Sequence, residues 1–145
     1  MIIISHRGNI NGPQPEHENK PAYIDAAIKL GYDVEIDLRT KDGKFYLGHD
    51  EPQYEVKTSW LIQRQIDLWV HCKDIETLEE ALDLGLHCFW HDKDDYVITS
   101  ERYVWSLSTS NTPEWHSIIT VLPADNKDIS NFSGVCTDYP MRYEN

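Results

Sequence analysis

The stretch YDVEIDLRTKDGKFYLGHD, residues 32–50, decides the architecture. Residues 32–38 read as a strand, Asp42-Gly43 marks a tight turn, and residues 44–48 read as a returning strand. Upstream, Ala22, Ile24, Ala26, Ala27, Ile28 and Leu30 follow a helical pattern, with Gly31 as its C-terminal stop. Residues 9–21, with Gly12, Pro13, Pro15 and Pro21, form a loop, and residues 1–4 are a short buried strand. Downstream, residues 68–70 form a strand and 75–84 a helix that stops near Gly85. Short strands are expected at 86–90, 96–99, 103–107, 117–122 and 134–137. Two βα alternations before a strand-dense second half predict an α/β fold on a parallel sheet. The expected form is a shortened (β/α) TIM-type barrel with several helices reduced to turns. A full barrel averages roughly 250 residues, about 31 per unit, whereas 145 residues leave only about 18.

Composition bounds the rest. With 40% hydrophobic and 11% aromatic residues, the chain can build one core, and a single domain spanning residues 1–145 is expected. Thirteen basic against 25 acidic residues give a net charge of −12, a field that opposes nucleic acid and anionic membranes. The three cysteines, Cys72, Cys88 and Cys136, show no CxxC spacing, so a reducing compartment is expected. Residues 1–6 lack the basic start and apolar stretch of a signal peptide, and no run approaches a membrane span of about 20 residues. The expectation is a soluble cytoplasmic protein without membrane insertion.

Several groups can carry chemistry. His6-Arg7-Gly8 follows the opening strand, where α/β folds place reactive side chains; equally, it can be a surface turn. Arg7 offers a planar donor fork suited to phosphate. Glu35 and Asp37, two apart on a strand, share a face. Buried together they call for a divalent cation; on an amphipathic strand they simply face water. His49-Asp50 ends the hairpin. A two-residue loop sets His49 opposite Ile36, and a three-residue loop sets it opposite Glu35. We adopt the three-residue form, in which the site converges. His71 and Lys73 again share a face, as a metal ligand and an anion-neutralising cation or as a solvent-facing pair. Glu18-Asn19 either reaches a site beside His6 or caps the helix that follows. Residues 91–95, HDKDD, read as a solvated loop, Trp90 and Trp105 as core or site wall, and Asp138 as a turn cap. His17, His87 and His116 form no pattern.

Taken together, His6-Arg7-Gly8, Glu18-Asn19, Glu35-x-Asp37, Thr40-Lys41-Asp42-Gly43 and His49-Asp50 resemble the glycerophosphodiester phosphodiesterase family, within the phospholipase-C-like phosphodiesterases. Looser likenesses are Tyr103-Val104-Trp105-Ser106 and the closing run from Gly134 to Pro140. The resemblance implies a barrel phosphodiesterase of lipid metabolism that hydrolyses a small phosphodiester. On it, Glu35 and Asp37 are metal ligands, His6 and His49 the general acid and base, and Arg7, Lys73, Glu18 and Trp105 bind substrate. In the family a substrate hydroxyl attacks through a cyclic phosphate. The family's third ligand, a carboxylate two residues before a lysine, falls here on His71. Oxygen ligands imply Mg²⁺ or Ca²⁺, and His71 admits Mn²⁺ or Zn²⁺. The alternative is a degenerate barrel that binds a phosphorylated metabolite or glycan without turnover. Missing outer helices would bare apolar strand backs and favour a homodimer.

Overall fold

A computed structural model of the chain describes residues 1–107 and 118–144. Ten strands form one sheet: β1 (Ile2–His6), β2 (Asp33–Lys41), β3 (Lys44–Leu47), β4 (Tyr54–Val56), β5 (Leu68–Cys72), β6 (Cys88–Phe89), β7 (Tyr96–Ile98), β8 (Val104–Leu107), β9 (Ile118–Val121) and β10 (Gly134–Thr137). Three short α-helices accompany it, α1 (Pro21–Lys29), α2 (Thr58–Gln63) and α3 (Ile75–Asp83), with a closing 3₁₀ turn at Pro140–Tyr143. Strands β6, β5, β2, β1, β10, β9 and β8 lie side by side and parallel. Strand β7 and the pair β3–β4 run antiparallel to their neighbours. The expected TIM-type barrel is therefore overturned: this is a mixed, sheet-dominated half-barrel. All three helices precede residue 84, and none of the described residues after β6 is α-helical. A parallel crossover with its helix takes a dozen or more residues. Residues 122–133, between β9 and β10, make that crossing in turns and coil instead.

Strand parity sorts the core into two. Val34, Ile36 and Leu38 of β2 and Leu68, Val70 and Cys72 of β5 turn outward against Ile24 and Ala27 of α1 and Ala81 of α3. Each buried Val, Ile or Leu side chain among them contributes about 1.5–3 kcal/mol. The alternate residues turn inward, where Ile4, Trp69, Phe89, Trp105, Ile119, Val121 and Cys136 meet. The rings of Phe89 and Trp105, from strands far apart along the sheet, lie 4.7 Å apart, the direct sign that the sheet curls. Ser100 closes the exposed flank of β6: its amide donates to the Cys88 carbonyl at 2.9 Å, and its Oγ accepts from the Cys88 amide at 2.9 Å.

Local chemistry explains the helix limits. Pro21 supplies the first-turn φ of α1, and Gly31 (φ +96°) lets the chain reverse after it. Glu18 and Asn19 do not cap α1, whose N-cap is Lys20 without a side-chain bond. Asp74 caps α3 by accepting from the Thr77 amide at 2.8 Å.

The hairpin register also differs from expectation. Lys41 pairs with Lys44 and Leu38 with Leu47, around a two-residue turn with Asp42 at φ +51° and Gly43 at φ +74°. This register sets Leu38 beside Leu47, both fully buried, whereas the three-residue form would set Leu47 against Asp37. His49 instead leaves the ladder at Gly48, whose amide donates to the Asp37 carbonyl at 3.0 Å. Arg39 Nε donates to the Gly48 carbonyl at 2.9 Å and its Nη2 to that of His49. The backs of β9 and β10, among them Ile118, Thr120, Val135 and Thr137, are buried. No helix among the described residues is long and apolar enough to cross a membrane.

Gly48 sits at φ +155°, and a Cβ there would lie 2.0 Å from the Glu51 carbonyl oxygen. Gly48→Ala is expected to lower stability by more than about 1 kcal/mol in urea denaturation, and an unchanged midpoint would refute this account of the turn.

Candidate functional site

The inward face of the parallel strands brings the acidic pair to the C-terminal rim. His6 of β1 is registered beside Glu35, and Asp37 beside His71 of β5. Glu35 and Asp37 are almost wholly buried, so the amphipathic alternative, with both facing water, does not hold. Ligand atoms of Glu35, Asp37 and His71 all lie within 4.8 Å of one another. His71 Nδ1 stands 3.8 Å from Glu35 Oε1 and 3.5 Å from Asp37 Oδ1. Glu35 Oε2 and Asp37 Oδ1 are buried without a hydrogen-bond partner among the described residues. Leaving a buried acceptor unpaired is costly. Two donors each about 2.0–2.4 Å from one ion are at most about 4.8 Å apart, so these three residues fit a divalent cation.

The other oxygen of Asp37 is tied down. Asn19 Nδ2 donates to Asp37 Oδ2 at 2.9 Å, while the Asp37 amide donates back to Asn19 Oδ1 at 3.0 Å. Arg7 Nε lies 3.0 Å from the same Oδ2, and Arg7 Nη1 lies 3.3 Å from Glu18 Oε1. Backbone geometry makes these contacts reachable. Arg7 (φ +57°) and Asn19 (φ +66°) both adopt the left-handed region, and the Asn19 amide donates to the Arg7 carbonyl at 3.1 Å. Gly8 is required between them, because a Cβ there would meet Tyr23 Cδ2 at 2.6 Å.

Electrostatics follow from this packing. Burial, then the Asp37 charge, push Glu35 up to about 7. Burial also acts to raise Asp37, but Arg7 and the Asn19 hydrogen bond outweigh it and hold Asp37 below the usual range. Burial outweighs the Asp37 charge and, with the Lys73 cation, holds His71 down to about 3 and keeps its imidazole neutral. Burial would lower His6, yet the Asp138 hydrogen bond and the Glu35 charge raise it overall. His6 Nδ1 meets Asp138 Oδ1 at 2.7 Å, which leaves Nε2 facing Glu35 Oε2 at 3.8 Å.

The remaining candidates divide. Lys73 bears on Glu35 and His71 by charge. Trp105 is buried in the inner core and lines the hollow above His6 and His71. Glu18 accepts from Asn9 Nδ2 at 3.2 Å and the Gln14 amide at 2.9 Å as well as holding Arg7. His49 is within electrostatic reach of Asp37 and His71, but its side chain is 43% exposed, hydrogen-bonds Asp50 at 2.7 Å and lines a separate hollow. Arg7 borders both hollows.

Sequence reading missed Asp138, which orients His6 rather than only ending a turn, and Asn9, whose Nδ2 donates to Asp138 at 2.8 Å. It also missed His91, which stacks on His71 at 4.7 Å instead of belonging wholly to a solvated loop. His87 is buried against Trp69 at 4.1 Å and is remote from the carboxylates in role, bonding Thr99 at 2.7 Å. His116 and Ser117 lie outside the described residues. No family model matches the chain, and neither a curated protein nor a solved structure matches it.

A raised Glu35 pKa means that the metal-free fold holds a proton the unfolded chain has released. Its contribution is full below about 4.5 and is lost as pH rises through about 7. His71, neutral in the fold, acts oppositely, since stability from it falls as pH drops below 6.5. The two overlap, so wild type must be compared with Glu35→Gln. The stability of wild type relative to Glu35→Gln is expected to fall between pH 5 and 8 in chelator, and Mn²⁺ should restore it. A pH-independent difference would count against the buried, uncompensated carboxylate.

Proposed function

We propose that the chain is a glycerophosphodiester phosphodiesterase-like hydrolase, cleaving a small phosphodiester with one divalent metal ion and a histidine acid–base pair. The carrying observation is the pair of unpartnered buried oxygens, Glu35 Oε2 and Asp37 Oδ1, beside a neutral His71 and the His6–Asp138 couple. Glu35, Asp37 and His71 would hold the ion; Mg²⁺ or Ca²⁺ suits the carboxylates, and Mn²⁺ or Zn²⁺ suits His71. A bound cation supplies charge neutralisation at the nonbridging phosphate oxygens. Arg7 and Lys73 add positive charge there. Asp138 fixes His6 with its proton on Nδ1 and raises its affinity for a second on Nε2, which suits the acid that protonates the leaving oxygen. His49, with Nδ1 on Asp50, takes the proton of the attacking hydroxyl, from the substrate or from water, as that oxygen bonds to phosphorus and the P–O bond to the leaving alcohol breaks; where the substrate's own hydroxyl attacks, water then opens the cyclic phosphate.

The exposure of His49, in a hollow apart from the one His6 lines, favours a second reading: a binder of a phosphorylated metabolite or glycan that does not turn it over. The three cysteines, buried and free, support a cytoplasmic setting.

Bis(p-nitrophenyl) phosphate assayed with Mg²⁺, Ca²⁺, Mn²⁺ and Zn²⁺ separates the two. Hydrolysis is expected with at least one ion and none in chelator. His6→Ala and His49→Ala should each reduce it by roughly 10²–10⁴ without changing the far-UV circular dichroism. Metal binding without turnover by any ion selects the binder, and wild-type rates in either variant would refute the histidine roles.

A further inference from the structure

His71 is the nitrogen donor among the three residues that fit a cation, and an imidazole donates along a lone pair lying in its ring plane. Its Nδ1 can serve an ion between the carboxylates only while that plane is held. A metal-bound histidine is ordinarily held by a hydrogen bond from its other nitrogen. Among the described residues, no hydrogen bond reaches the His71 ring. Ring faces hold it instead. Phe89, registered beside His71, stacks on it at 4.9 Å with 17° between the planes. His91, two residues further along, stacks at 4.7 Å and 11°. Resting on the metal centre of the proposed hydrolase, we propose that His91 is a positioning residue: with Phe89 it fixes the His71 imidazole, and so makes the centre prefer Mn²⁺, Co²⁺ or Zn²⁺ over Mg²⁺ or Ca²⁺.

His91 is not itself a fourth ligand. Two rings stacked nearly parallel keep their lone pairs in separate planes, so both cannot point at one ion. Among the described residues, the ligand atoms within 4.8 Å of one another belong to Glu35, Asp37 and His71. Hydrogen bonding does not seat His91 either, because its Nδ1 is buried without a partner among the described residues. A bare buried nitrogen is unfavourable, so the ring contact is what keeps this side chain in place. The consequence falls on the ion. Two carboxylates alone are a donor set for Mg²⁺ or Ca²⁺, which bind through oxygen. A fixed imidazole adds a donor that suits manganese, cobalt and zinc far better than calcium. An unsupported one would turn away and leave an oxygen-only site. The stack thereby decides which class of ion the carboxylates take.

Calorimetric titration of the metal-free protein with Co²⁺ and with Ca²⁺, at one pH, tests this without recourse to turnover. Wild type is expected to bind Co²⁺ at least about tenfold more tightly than Ca²⁺. His91→Ala is expected to weaken Co²⁺ at least about tenfold and Ca²⁺ by less than about threefold. His91→Phe, which keeps a ring face without a nitrogen, should bind Co²⁺ within about threefold of wild type. If His91→Ala weakens both ions and lowers the urea midpoint, His91→Leu, which fills the space without a flat face, must show the selective loss in its place. Unchanged Co²⁺ binding in the variant without a ring overturns the proposal. So does a His91→Phe as weak as that variant, which would make His91 a ligand, or a wild type that binds Ca²⁺ as tightly as Co²⁺. Binding of neither ion by wild type defeats the metal centre and this role with it. Selective loss in a protein that hydrolyses no diester refutes the hydrolase reading alone and sustains this one.

Discussion

Two carboxylates, two residues apart on one strand and both out of water, are the constraint around which this molecule is arranged. Ionised side by side in a low-dielectric interior, Glu35 and Asp37 repel each other and lose their hydration. The protein answers the two unequally. Asp37 receives Arg7 and Asn19 Nδ2 at one carboxylate oxygen, while its backbone amide donates back to Asn19 Oδ1, and it stays charged. Glu35 faces His6 and His71 at 3.8 Å, too far for hydrogen bonds, and its affinity for a proton rises. This asymmetry leaves one oxygen of each carboxylate directed at a neutral imidazole, an arrangement that a proton relieves only in part and that a cation relieves for both.

The fold supplies this arrangement through register. Parallel pairing of β1, β2 and β5 sets His6 next to Glu35 and Asp37 next to His71 without help from any helix. The opposite parity of β2 carries Val34, Ile36 and Leu38 into the helix-facing core. One strand therefore anchors the molecule with one set of side chains and builds the site with the other. A slip of one residue would exchange them, placing carboxylates against α1 and aliphatics at the rim. The apolar outer face thus protects the position of the polar inner one.

Much of this was legible because it has a period. The Glu-x-Asp spacing follows directly from the two-residue repeat of a strand, and His6, His71 and Lys73 were placed at strand ends by the same rule. Asp138 was not legible, because its partner lies 132 residues away and nothing local distinguishes a carboxylate that holds a histidine from one that ends a turn. His91 sits in an acidic run whose composition suggests solvent, yet ring stacking on His71 draws it inward. The hairpin was misread for a sharper reason. Convergence of His49 on Glu35 was allowed to choose the loop length, whereas the pairing of Leu38 with Leu47 and two successive positive φ values at Asp42 and Gly43 choose it in the protein. Alternation placed only strands in the second half, but it could not reveal that the sheet stops at a half-barrel, since short apolar runs look alike whatever connects them.

That last error bears on what a site of this kind needs. A complete barrel holds its catalytic rim by closing the sheet and buttressing every strand with a helix. Here β8, β9 and β10 lack such helices among the described residues, and the curl is held from inside by Trp69, Phe89 and Trp105 in contact across it. The aromatic cluster lies level with the carboxylates: Trp69 is registered beside Glu35, and Phe89, registered beside His71, stacks on it at 4.9 Å. Large rigid rings therefore take over the role that outer helices play elsewhere, fixing the distance between the β5–β6 flank and the β8–β9 flank. Because Trp105 belongs both to this brace and to the wall of the hollow above His6 and His71, the same side chain that keeps the half-barrel curled also borders the site.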